Sequence, residues 1–180
     1  MKILAFAGSN SEESINKKLV TSVAKSFNND NVEILDLNDF EMPIYKNERE
    51  KTTGIPKLAY DFAEKIDESD LLLISLAEHN GAYSTAFKNI FDWVSRIPGR
   101  HHFGDKPTFL MATSPGKMGG STVLNIAANR LPFNGAKVID IFSLPFFFEF
   151  FNSETGEIIN EDKAVELKAK VEKIKNELAV

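Results

Sequence analysis

Short apolar runs alternate along the chain with longer segments in which apolar residues recur every three or four positions. The apolar runs predict five β-strands, at 2–8, 31–37, 70–77, 106–114 and 136–144. The periodic segments predict five helices. Three of them span 56–68, 120–131 and 161–178, and the other two lie after the first and third strands, where they contain Ile15 and Phe87. This alternation predicts an α/β fold, in which helices cover both faces of a parallel sheet.

The stretch between the second strand and the helix at 56–68 shows no such periodicity. It is polar and contains Pro43, Gly54 and Pro56, so we predict a long loop there. No internal repeat or low-complexity tract divides the chain. We therefore expect residues 1–180 to form a single domain.

Composition narrows the classes of function. The 180 residues carry a net charge of −5, which argues against nucleic acid or a membrane surface as a partner, because both favour a basic face. The absence of cysteine excludes disulfides, thiolate catalysis and cysteine-ligated metals. The first residues do not resemble a signal peptide, and no apolar run approaches the ~18 residues of a membrane span. We expect a cytoplasmic protein.

Three polar, glycine-containing loops follow the first, third and fourth predicted strands. Loops in these positions emerge at the same edge of a parallel sheet, where ligands bind. The first loop offers Ser9, Ser11, Ser14 and Asn16 at the start of a helix, a set of donors that suits an anion. The alternative is an ordinary helix cap with turn-forming serines.

The second and third loops suit a flat ligand. The second is a sharp turn between a buried strand and an amphipathic helix, with the residues Ala77, Glu78, His79, Asn80 and Gly81. The third contains Ser114, Gly116, Gly119 and Gly120, and its glycines would let the backbone approach a ligand closely. Each loop alone is a weak signal, and the three together indicate a binding site.

The three loops resemble those of the NADPH-dependent FMN reductase family, which has a flavodoxin-like fold. The family's Gly-Ser turn with a following Ser and Asn is matched at 8–16, and its Ser-x-Gly-x-x-Gly-Gly loop at 114–120. Its Pro-Glu-Tyr-Asn-Gly turn is matched at 77–81, and the helix pattern Lys-Asn-hydrophobic-hydrophobic-Asp-Trp at 88–93. The resemblance implies a three-layer sandwich whose five-stranded parallel sheet has the strand order 2-1-3-4-5.

The resemblance also implies FMN as the cofactor, with NADPH or NADH as cosubstrate. The first loop would bind the FMN phosphate, and the other two would flank the isoalloxazine ring. The implied cofactor-binding residues are Ser9, Ser11, Ser14, Ile15, Asn16, Ala77, Glu78, His79, Asn80, Gly81, Ser114, Gly116, Gly119 and Gly120. We assign no catalytic side chain and no metal site, because the flavin carries the chemistry.

The sequence departs from the family pattern at three positions. Ser11 stands where many members have arginine, Ala77 replaces the usual proline and His79 the usual tyrosine. The lost arginine bears most on the phosphate, because Glu12 and Glu13 lie in the same loop. Like charges ~4 Å apart in water repel by about 1 kcal/mol, so the two glutamates must point outward if FMN binds.

The resemblance implies that the protein is an NAD(P)H-dependent FMN reductase. Electrons would pass from NAD(P)H to bound FMN by hydride transfer, and then to an unidentified small-molecule acceptor such as a flavin or a quinone. Two alternatives stay open, namely a flavodoxin-type electron carrier and a non-enzymatic relative with a weak or empty flavin site.

Aromatic residues suggest contacts between subunits. The segment 142–151 holds six phenylalanines, which form either core or a subunit interface. Phe91 and Trp93 are further candidates for that interface, and the resemblance implies a homo-oligomer, either a dimer or a tetramer.

A cationic segment contains Arg96, Arg100, His101 and His102, and we predict that it forms a surface loop. The alternative is that these residues contact the NADPH phosphates near the flavin edge.

Overall fold

A five-stranded parallel sheet forms the middle layer of the computed structural model, which describes residues 1–27 and 31–178. In chain order the strands are β1 (Ile3–Gly8), β2 (Val32–Leu35), β3 (Leu71–Leu76), β4 (Glu78–His79), β5 (Ala82–Tyr83), β6 (Lys106–Thr113), β7 (Ala136–Leu144), β8 (Phe151–Asn152) and β9 (Glu157–Ile158). The main sheet has the order β2-β1-β3-β6-β7, and β4–β5 and β8–β9 are separate antiparallel pairs. The predicted order 2-1-3-4-5 and the flavodoxin-like fold are confirmed.

Helices cover both faces of this sheet. In chain order they are α1 (Ile15–Lys25), α2 (Asn47–Thr53), α3 (Lys57–Asp67), α4 (Thr85–Val94), α5 (Ser121–Arg130), α6 (Phe147–Phe150) and α7 (Glu161–Glu177), with 3-10 turns at Leu37–Phe40 and Leu131–Asn134. The helices α1 and α7 pack on one face, and α3, α4 and α5 on the other. None of the helices in the described ranges is long and apolar enough to cross a lipid bilayer.

The central strands are buried on both faces, which explains why they are continuous apolar runs. In β1, Ile3 and Ala5 face α1 and α7, whereas Leu4 and Phe6 face the opposite helix layer. Every residue of β1 and β3 is buried, as expected for inner strands of a parallel sheet. Of the predicted single domain, residues 28–30 and 179–180 lie outside the described part.

The predicted loop after β2 was wrong in part, because it contains α2 and a 3-10 turn. No residue of α2 is buried, so the helix has no apolar face for a pattern to reveal. It is held instead by polar contacts, in which Glu50 accepts hydrogen bonds from the Tyr45 hydroxyl at 3.0 Å and from Arg96 Nε at 2.9 Å. The hairpins and the short helix α6 also went unpredicted.

The phenylalanine-rich segment is divided between core and surface. Phe142, Phe147 and Phe151 are buried in the core layer beneath α1 and α7, whereas Phe148 is 70% exposed. Of the two candidates on α4, Trp93 was a wrong choice for a subunit surface, because it is fully buried and its indole N–H donates to the Pro43 carbonyl at 2.7 Å.

The cationic segment after α4 lies at the amino edge of the sheet, opposite the three loops. Arg100 pairs with Asp67, the last residue of α3, and the Phe103 N–H donates to the Asn134 carbonyl just before β7. Arg96 is paired with Glu50. The predicted surface loop is therefore favoured, and the alternative placement of these cations near the flavin edge was wrong.

Candidate functional site

The three glycine-containing loops meet at the carboxyl edge of the sheet, as their positions after β1, β3 and β6 require. Direct hydrogen bonds join them. The Ser84 hydroxyl donates to the Gly8 carbonyl at 2.8 Å, which ties the start of α4 to the first loop. Ser84 is also the N-cap of α4 and accepts from the Phe87 N–H. Sequence reasoning missed this residue, although a serine directly before an apolar helix is a start signal.

The first loop forms an open donor set at the N-terminus of α1. Ser14 is the N-cap of α1, and its side chain accepts from the Lys17 N–H at 3.2 Å. Ser9 accepts from the Ser11 N–H in the same way, so each buried hydroxyl keeps its own proton to donate. Within the described part of the chain, the N–H groups of Ile15 and Asn16 have no hydrogen-bond acceptor. These groups could together bind an anion such as a phosphate.

The Asn16 side chain has a different set of contacts from the serines. Its Oδ1 accepts from the Ser75 hydroxyl at 2.8 Å and from the Thr113 N–H at 3.0 Å, and its Nδ2 donates to the Thr113 carbonyl at 3.3 Å. The side chain is buried and joins the first turn of α1 to the ends of β3 and β6. Its backbone N–H is thus free for an anion, whereas its amide group already has protein partners.

The charges around the first loop are nearly balanced. Glu12 and Glu13 are both exposed, and Glu13 lies 3.7 Å from the Lys18 ammonium, so both glutamates point outward as phosphate binding requires. Lys17 is paired with Asp36, and this hydrogen bond is the main cause that lowers the pKa of that carboxyl. Lys17 and Lys18, the two lysines of α1 that lie nearest to Ser14 in sequence, are therefore both paired with a carboxylate.

The second loop is a tight hairpin formed by β4 and β5. Its two central residues, Asn80 and Gly81, have φ values of 52° and 76°. Positive φ at both positions, with the sequence Asn-Gly, is the arrangement of a type I′ turn. The predicted sharp turn is present, but its strands were missed because they are only two residues long. Asn80 and His79 are exposed at the tip.

Two side chains fix the hairpin to its surroundings. Glu78 is half-buried, and its Oε2 accepts from the Val123 N–H in the first turn of α5 at 3.0 Å. Tyr83 packs its ring 5.2 Å from that of Phe87 and buries a hydroxyl that has no partner among the described residues. Burial raises the pKa of Tyr83 to about 12, so this hydroxyl stays protonated at neutral pH.

Glycine serves two different purposes in the third loop. A Cβ at Gly119 would overlap the Ser143 hydroxyl, and one at Gly120 would lie 2.8 Å from the Ala112 Cβ, and both residues have positive φ. These two glycines are thus required by packing against the protein itself, which differs from the predicted reason of close ligand approach. Only at Gly116, where a Cβ would meet no atom within 4 Å, is the space open to a ligand. The Ser114 hydroxyl donates to the Gly116 carbonyl at 3.2 Å.

A cavity of about 280 Å³ opens beside the first and second loops. Its polar lining includes Asn10 and His79 from these loops and Thr85 from the start of α4, and its far wall is the segment after β2. Asn89 holds that segment in place, since its Nδ2 donates to the Met42 carbonyl at 2.9 Å and its Oδ1 accepts from the Tyr45 N–H at 2.8 Å. Sequence reasoning missed this wall, because it predicted only a long loop for this segment.

Comparison with known proteins finds a matching family model and several related sequences. The sequence model of the family described as NADPH-dependent FMN reductase matches residues 1–149. A 2-hydroxy-1,4-benzoquinone reductase from Burkholderia sp is 31% identical over 120 residues, which are 66% of this chain and 63% of that protein. A quinone reductase from Pseudomonas putida is 30% identical over 119 residues, 66% of this chain and 62% of that protein. The matched region spans less than two thirds of either relative.

A solved structure shares the fold over nearly the whole chain. The flavoenzyme NAD(P)H:(acceptor) oxidoreductase FerB from Paracoccus denitrificans has a TM-score of 0.76 at 23% identity, with 99% of this chain and 97% of that chain covered. At this identity the likeness concerns the fold alone. The family match rests on the sequence, and it supports FMN as cofactor and NAD(P)H as electron donor. The chain belongs to the NADPH-dependent FMN reductase family.

Proposed function

We propose that this protein is an NAD(P)H-dependent oxidoreductase that binds FMN at the three-loop edge and reduces a small-molecule acceptor. Two relatives are quinone reductases by name, which favours a quinone as the acceptor. When bound, FMN would take two electrons from NAD(P)H and pass them on. The protein's part is to bind the flavin, orient it and set its electrostatic surroundings.

The donor set at the N-terminus of α1 is the observation that carries this proposal. The free N–H groups of Ile15 and Asn16 and the buried hydroxyls of Ser9 and Ser14 fit a phosphate monoester, whose oxygens accept several hydrogen bonds at once. The outward position of Glu12 and Glu13 removes the main electrostatic objection to a phosphate there. In this arrangement neutral donors and a helix terminus replace the arginine that many family members carry.

The second and third loops fit the two sides of a flat ring. The hairpin presents Asn80 at an exposed tip, where its amide could bond the polar edge of the isoalloxazine. The open space at Gly116 allows the third loop to approach from the other side. We keep homo-oligomerisation and a cytoplasmic location as further parts of this proposal, and the family match favours neither a dimer nor a tetramer.

A titration with FMN and riboflavin tests the proposed phosphate site. Riboflavin lacks the phosphate, so FMN should bind more tightly by at least ~1.5 kcal/mol, the low end for one charge-assisted hydrogen bond. Because Lys17 and Lys18 are already paired, the preference should depend only weakly on salt. Calorimetry at low and high salt measures both quantities. Equal affinities for the two flavins would mean that the first loop is an ordinary helix cap.

The two alternative functions predict different results in the same samples. A flavodoxin-type carrier would bind FMN but would not be reduced when NADPH is added. A non-enzymatic relative would bind neither FMN nor riboflavin at micromolar concentration. Without oxygen, a quinone reductase should oxidise at most one equivalent of NADPH with FMN alone, and should oxidise NADPH continuously only when a quinone is also present.

A further inference from the structure

We infer that Glu78 is a positioning residue, which holds the hairpin and the third loop at a fixed separation by capping α5. This inference rests on the proposed function, because these two loops are the ones proposed to flank the flavin ring. Glu78 would act on flavin binding without touching the flavin. Its carboxylate is engaged with the protein backbone instead.

The helix α5 cannot supply its own N-terminal cap. Its N-cap position is Gly120, which has φ 73° and no side chain to accept a hydrogen bond. A side chain is excluded at this position, since a Cβ would lie 2.8 Å from the Ala112 Cβ of β6. The first N–H groups of a helix need acceptors from elsewhere when they are not exposed to water. Val123 is buried, so its N–H requires such an acceptor.

Glu78 is the acceptor, although it lies 45 residues earlier in the chain. Its Oε2 is 3.0 Å from the Val123 N–H, and a carboxylate at a helix N-terminus gains from the helix dipole as well. Among the described residues, the Val123 N–H is the one hydrogen-bond donor to the Glu78 carboxylate. The hairpin also packs against the helix, because the strand β5 lies in contact with α5.

The other end of the third loop is fixed independently. The Phe147 N–H donates to the Ser114 carbonyl, and the Phe146 N–H to the Gly116 carbonyl, both at 3.1 Å. The Ser143 hydroxyl donates to the Gly119 carbonyl at 3.0 Å. These bonds hold the loop to the end of β7 but do not reach the hairpin. Within the described ranges, the Glu78–Val123 hydrogen bond is thus the one that joins the hairpin directly to the start of α5.

Loss of this cap should loosen the site before flavin arrives. In Glu78→Ala the Val123 N–H has no acceptor, and both flanking loops gain freedom that flavin binding must remove again. Glu78→Gln keeps a side-chain oxygen that can accept, so it should recover most of what Glu78→Ala loses. Glu154→Ala removes the same charge at an exposed turn and serves as the control.

Hydrogen exchange in flavin-free protein tests the cap directly. We expect faster exchange at the Val123 amide and in the peptides covering 78–83 and 114–124 of Glu78→Ala, with slow exchange in Glu78→Gln, Glu154→Ala and the wild type. Unchanged exchange in Glu78→Ala would overturn the inference. This readout does not require that the protein bind FMN, so it holds even if the proposed function is wrong.

Flavin titration then tests the consequence for the site. We expect Glu78→Ala to bind FMN about tenfold more weakly than wild type, as for the loss of one hydrogen bond to a charged group. Glu78→Gln should lie within about threefold of wild type. Equal FMN affinity of wild type and Glu78→Ala would overturn the inference, whereas a wild type that binds no FMN would overturn the proposed function itself.

Discussion

Replacing Asn16 by alanine should destabilise the fold itself. The Asn16 side chain makes three buried hydrogen bonds, of 2.8 Å to Ser75, 3.0 Å to the Thr113 N–H and 3.3 Å to the Thr113 carbonyl. Each such bond contributes about 1 kcal/mol net, and its loss leaves a buried partner unpaired. We therefore expect the free energy of unfolding to fall by about 3 kcal/mol. For a chain of this size that corresponds to a decrease in melting temperature of about 6–12 °C.

Denaturant unfolding of flavin-free Asn16→Ala measures this effect. Asn125→Ala on the exposed side of α5 is the matched control, and its free energy of unfolding should change by less than about 0.5 kcal/mol. If Asn16→Ala unfolded at the wild-type denaturant concentration and yet lost FMN affinity, the amide would be a flavin ligand. That result would refute the assignment of this side chain to holding α1 against β3 and β6.

Three further predictions concern other parts of the molecule. Gly81→Val should stay folded, because only Thr122 Cγ2 lies within 4 Å of the added Cβ. The branched residue is nevertheless strained at φ 76° by about 1–3 kcal/mol. Calorimetry should show that it binds FMN more weakly than the control variant Ala82→Val does. Phe148→Asp should shift sedimentation towards a 20.1 kDa species if this exposed ring lies in a homo-oligomer interface; a wild type that is monomeric at micromolar concentration would contradict the predicted oligomer. Burial lowers the pKa of His102, so the histidine takes up a proton at higher pH in the unfolded chain than in the folded one, and stability is lost as the pH falls below about 6.5. Between about pH 7 and pH 5, the free energy of unfolding should therefore fall more in the wild type than in His102→Gln. Equal decreases in the two proteins would show that His102 does not contribute.

The sheet and its order could be predicted from the sequence because burial leaves a direct pattern. Strands such as β3 are buried on both faces and appear as apolar runs, and helices such as α3 show a stripe of apolar residues. The helix α2 could not be found in this way, because it buries no residue and depends on the side chains of Tyr45 and Arg96, distant in sequence from each other. Local patterns cannot report such contacts.

The positions of the site loops were also predictable, but the roles of individual residues were not. The loops follow from topology, since each comes after a parallel strand. Whether Gly119 is needed for a ligand or for packing depends on Ser143 and Pro145, which lie more than twenty residues further along the chain. Trp93 was misplaced for a similar reason, because the Pro43 carbonyl that accepts from its indole lies in a segment with no apolar pattern.

The central claim is that this family member uses NADPH to reduce FMN held by the three loops. Its most direct test is the visible flavin absorption of the FMN-loaded protein after NADPH is added under anaerobic conditions. We predict rapid bleaching by one equivalent of NADPH and recovery of the absorption when a quinone is admitted. Bound FMN whose absorption does not change when NADPH is added would contradict the account.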